Sequence, residues 1–71
     1  MKKVSNEELE LYYCVTQDND NFHTLLFRLI CKADTGNQMK LSLGYPDFVR
    51  AVWRYQNEEG YWESLIKRIK G

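Results

Sequence analysis

Apolar positions recur at helical spacing along most of the chain, and the densest run is Asn21 to Asp34, NFHTLLFRLICKAD. Within it Phe22, Leu25, Leu26, Leu29, Ile30 and Ala33 fall on one face of a helical wheel. Phe27 and His23 widen that face, leaving Thr24, Arg28 and Lys32, with Cys31 at their margin, as a narrow polar stripe. A helix apolar over so much of its circumference needs neighbours on two sides. The stretch 21–34 is therefore the expected centre of an all-α, single-domain bundle of three to four helices spanning residues 1–71, with Leu29 in the middle of its core arc.

The flanking elements follow from caps and breaks. Ser5 with Glu8 three residues on is a capping-box pattern, and Leu9, Tyr12, Tyr13 and Thr16 then repeat at helical spacing, which predicts a first helix over 6–17. The same stretch alternates as a strand would, but nothing downstream offers a partner strand. Asp18-Asn19-Asp20-Asn21 is a polar break in which Asp20 or Asn21 suits an N-cap. It is not a calcium loop, because Phe22 stands at a ligand position and neither the glycine nor the closing glutamate follows. Thr35-Gly36 reads as a stop, and a short helix is expected over 37–43. Pro46 breaks that helix and opens the next, whose face is Phe48, Ala51, Val52 and Tyr55, with Val49 and Trp53 beside it. After Glu58-Glu59-Gly60 a last helix over 61–70 carries Trp62, Leu65, Ile66 and Ile69.

Composition adds limits to this picture. Ten Lys and Arg balance ten Asp and Glu, so no overall field draws the chain to nucleic acid or an anionic membrane. Nowhere do the apolar residues run long enough to span a bilayer, and the basic start MKK leads into no apolar segment; a cytoplasmic, non-exported protein with no membrane partner is expected. Cys14 and Cys31 fit no metal spacing and are expected as free thiols. Aromatic residues make up 14% of the chain, more than so small a core can hide, so part of that surface is expected at an edge or interface.

Reactive constellations are missing from the pattern. The single histidine, His23, lies eight residues from Cys31, about 12 Å along one helix, too far for a Cys-His dyad. There is no phosphate-cradling glycine loop, nucleophile elbow or Cys/His cluster. The sequence thus implies no catalytic residue, no metal and no cofactor. The residues left for binding are the aromatic and basic set Tyr12, Arg50, Trp53, Arg54, Tyr61 and Trp62. Docking of the last helix on a second copy through Trp62, Leu65 and Ile69 would give an isologous homodimer, as against an aromatic-edged monomer.

From Asn21 to Val49 the sequence resembles small uncharacterised proteins of bacteriophages and mobile elements. The residues concerned are Phe22, Leu26, Leu29, Lys32, Ala33, Asp34, Asn37, Leu41, Gly44, Tyr45, Pro46 and Val49. That resemblance implies provenance and a shared fold, and brings no activity or site with it. The expected function is a non-enzymatic protein that engages a host protein, another host macromolecule or a small ligand, in the service of countering host defence. The rival is a helix-turn-helix-like nucleic-acid-binding protein using 37–43 and the helix from Pro46, with Arg50, Arg54 and Gln56 offered to DNA. Asp47 at the leading turn of that helix, and the zero net charge, weigh against it.

Overall fold

A computed structural model describes residues 3–17 and 20–71; the polar pair Asp18 and Asn19 and the basic start at Lys2 lie outside the described residues. Five helices follow one another: α1 (Asn6–Thr16), α2 (Phe22–Lys32), α3 (Thr35–Gly44), α4 (Pro46–Asn57) and α5 (Tyr61–Lys70). The bundle is all-helical, with one helix more than the three or four expected.

Local chemistry accounts for the boundaries. Ser5 accepts from the Glu8 N–H while the Glu8 carboxylate accepts from the Ser5 N–H, which completes the capping box of α1. Asn21 caps α2 through the Thr24 N–H. Asp34 does the same for α3, accepting from the Asn37 N–H at 2.8 Å. Thr35 and Gly36 are therefore the first turn of a helix and not the end of one, because an Asp cap two residues after Lys32 restarts the chain at once. Gly36 has no left-handed backbone; that geometry is needed at Gly60, φ 83°, where the chain turns into α5.

The hub of the bundle is α4, which packs on each of the other four helices. Its Phe48, Val49, Ala51 and Val52 are buried and meet Leu11 and Cys14 of α1, Leu26 and Ile30 of α2, and Tyr61 and Leu65 of α5 in one core. The expected central helix, α2, packs mainly on α1 and α4 and turns only part of its apolar arc inward. Leu26 and Ile30 are buried, whereas Phe22, Leu25 and Leu29 are exposed, Leu29 by 53%. Leu29 is thus a surface residue and not the middle of the core. The remaining helix, α3, rests on α4 and has no buried residue.

Candidate interaction surface

The six residues singled out for binding do not share one surface. Tyr61 is buried, and its Oη donates to Glu8 Oε2 at 2.7 Å. Arg68 donates from Nη2 to the same oxygen at 2.9 Å, from Nη1 to Glu8 Oε1 at 3.1 Å, and from Nη1 to the Lys3 carbonyl. Burial alone would push the Glu8 carboxyl up, but the bonds from Arg68, Tyr61 and the Ser5 N–H together outweigh it and bring the pKa down to about 2. Burial, with the Glu8 charge beside it, pushes the Tyr61 phenol up to about 12. Arg54 lies over the Tyr61 ring, 4.2 Å from its centroid, and holds Glu58 through two 3.0 Å bonds. Tyr61 and Arg54 therefore belong to a lattice that ties α1, α4 and α5 together.

Tyr12 and Trp62 form a second internal group. Their rings stack at 6.0 Å, Trp62 meets Tyr55 edge-on at 5.2 Å, and Tyr55 meets Phe27. All four side chains are half-buried, so the monomer itself covers much of the aromatic surplus by lining a seam between α1, α2, α4 and α5. Trp62 faces this seam and Leu65 the core, which is where α5 folds back on its own chain.

Arg50 and Trp53 are the two members of the set that stay exposed. They stand together on α4 beside a groove of about 360 Å³ that Met39, Ser42, Pro46 and Val49 complete. The part of the α2 stripe that its periodicity assigns to the core, Phe22, Leu25 and Leu29, is exposed as well. Among the described residues eight large hydrophobic residues are exposed, and apart from Tyr13 on α1 they lie on α2, α3, α4 and the joint between α3 and α4: Phe22, Leu25, Leu29, Met39, Leu43, Tyr45 and Trp53.

A second groove, of about 420 Å³, runs between α2 and α3 and is lined by Leu29, Lys32, Ala33, Asn37, Lys40 and Leu41. The two helices are consecutive and both rest on α4, yet they have little or no packing on one another. Gln38 ties α3 to the end of α2, its side-chain amide donating to the Ile30 and Ala33 carbonyls. Phe22 and Tyr45 meet at 5.9 Å on the same side of the bundle. The face is basic: Lys32, Lys40 and Arg50 border its grooves, and among the described residues none of the three has an ion-pair partner. Between Phe22 and Gly44 the one acid is Asp34, whose carboxylate caps α3.

The titratable groups with the largest shifts, Glu8 and Tyr61, converge with Arg68 in the bonded cluster already described. Elsewhere His23 Nδ1 stands 3.6 Å from Glu10 Oε2 on an open surface where each side chain is 41% exposed. Cys14 packs against Thr24 rather than His23, and burial pushes both its thiol and that of Cys31 up, away from the thiolate a nucleophile needs. Among the described residues no three His, Cys, Asp or Glu side chains stand close enough to hold a metal, and no helix is long and apolar enough to cross a membrane. The α3–α4 pair is joined by Tyr45 alone, where a helix-turn-helix has a three- to four-residue turn, and Arg54 is engaged by Glu58 and Tyr61. No protein family model, curated protein or solved structure matches the chain.

Proposed function

We propose that this is a non-enzymatic binding protein that engages a macromolecular partner through the apolar face of α2 and α3, in the setting of a phage or mobile-element protein acting on its host. The observation that supports the reading is the α2 stripe of Phe22, Leu25 and Leu29, which faces solvent although the helix is apolar over most of its circumference. An amphipathic helix draws its stability from covering that arc, and a small domain has little stability to give up for leaving half of it wet. A partner that covers the stripe supplies the missing neighbour.

The test is a comparison of wild type with Leu29→Glu, a surface change that leaves the core intact. Both proteins are used as bait in a bacterial lysate, and retained proteins and nucleic acids are quantified by mass spectrometry and staining. A species held by wild type and lost by Leu29→Glu is the expected result. Equal retention by the two baits, or none above a blank resin, overturns the proposal. The alternative role, a nucleic-acid-binding accessory protein, requires retardation of DNA in a gel shift at low salt that survives Leu29→Glu and fails in Arg50→Glu.

A further inference from the structure

Resting on that reading, we infer that the groove between α2 and α3 takes an acidic amphipathic helix from a partner protein. Shape is the first argument. Phe22, Leu25 and Leu29 repeat at the i, i+3, i+7 spacing of a single helical ridge, about 10 Å long. The α2–α3 groove opens beside Leu29, with Leu41 on its other wall. A ridge beside a groove is the relief into which a second helix packs, presenting its own anchors at the same spacing.

Charge selects among helices. Lys32 stands on one rim of the groove and Lys40 on the other, each exposed and, among the described residues, without an ion-pair partner, and Asn37 beside them adds a neutral side chain. A partner helix whose apolar stripe is flanked by Asp or Glu meets a cation on both sides, while one flanked by Lys or Arg is repelled on both. The same charges disfavour a second copy. An isologous pair through this face would bring Lys32 and Lys40 against their own counterparts. The chain's own acidic helix, α1, has Glu8 bound to Arg68 and Tyr61 and Glu10 beside His23.

The test uses the intact protein and two stapled, fluorescein-labelled helical peptides. Both carry leucines at i, i+3 and i+7; glutamates flank the leucines in one and lysines in the other. Fluorescence anisotropy should show the glutamate peptide bound at least about tenfold more tightly. Leu29→Glu should abolish its binding, and the double variant Lys32→Glu, Lys40→Glu should reverse the preference. Circular dichroism checks that each variant is folded. Equal binding of the two peptides, sensitive to Leu29→Glu, overturns the acidic class while leaving the surface in place. Binding insensitive to Leu29→Glu overturns both the inference and the surface it rests on. No binding of the glutamate peptide at hundreds of micromolar overturns the inference; light scattering that reports a dimer lost in Leu29→Glu then assigns the face to a second copy, and flotation with phosphatidylglycerol vesicles assigns it to lipid.

Discussion

Tyr61 and Glu8, 53 residues apart in sequence, are joined by a 2.7 Å hydrogen bond between the phenol and the carboxylate that also holds Arg68. Both groups titrate outside their ordinary ranges, and both shifts have consequences for stability. The Glu8 pKa falls from 4.5 unfolded to about 2 folded. Its contribution is therefore fully present above pH 4.5 and is lost as the pH drops towards 2. The side chain is 13% exposed, so the loss should amount to about 2–3 kcal/mol. The Tyr61 shift has the opposite sign: stability present below pH 10 declines as the pH rises to about 12. Denaturant melts across this range should show a plateau between the two windows. Glu8→Gln should flatten the acid limb, and an acid limb as steep as wild type in that variant would remove Glu8 from the account.

Leu11 and Leu29 separate core from surface. Leu11 is 0% exposed, and Leu11→Ala should cost about 2–5 kcal/mol, enough to unfold a marginal domain. Leu29→Ala, at 53% exposed, should change stability by no more than about 0.5 kcal/mol. Urea midpoints of the two variants decide it. Comparable destabilisation would mean that Leu29 is packed after all.

Local signals are legible in the sequence where one or two residues settle the geometry, and fail at Thr35-Gly36, where the Asp34 cap overrides the stop that the glycine suggests. Ser5 with Glu8 starts α1, Asn21 starts α2, Pro46 opens α4, and Gly60 turns the chain into α5. Periodicity gave the width of the α2 arc but could not say which half of it finds a neighbour, so Phe22, Leu25 and Leu29 were placed in the core. Nor could it find the hub, because α4 is central through the helices that surround it and not through a broader apolar face of its own. Tyr61 and Arg54 illustrate the same limit at the level of the site. An aromatic and a cation look like surface chemistry until Glu8, far away in sequence, accepts the phenol.

α3 should be the least protected helix. It has no buried residue and packs mainly on α4, tied to α2 by the Gln38 side chain, so its amides open without disturbing the core. Hydrogen exchange read by mass spectrometry should show deuterium entering 35–44 well before 46–57. Bound to a partner helix in the adjoining groove, α3 should slow towards the rest. Equal exchange of α3 and α4 in the free protein would contradict the packing described.

The two thiols should be free and unequal. Cys14 is buried and Cys31 half-buried, and burial pushes both pKa values up, so neither should react quickly near neutral pH. Timed alkylation followed by mass spectrometry should modify Cys31 first and Cys14 on the slower timescale of opening. A bridged protein, or simultaneous modification, would be inconsistent with the separate environments of the two residues.

The bonds from Arg68 to Lys3 and Glu8, with the stack of Tyr12 on Trp62, set α1 and α5 side by side in opposite directions. Force applied to the two ends of the chain would load these contacts in succession, Lys3 first, then Glu8, then Tyr12, as a zipper opens from its pull. The same lattice that opposes global unfolding through several bonds at once would meet tension one bond at a time, and the domain would yield to a gentle pull along its own chain.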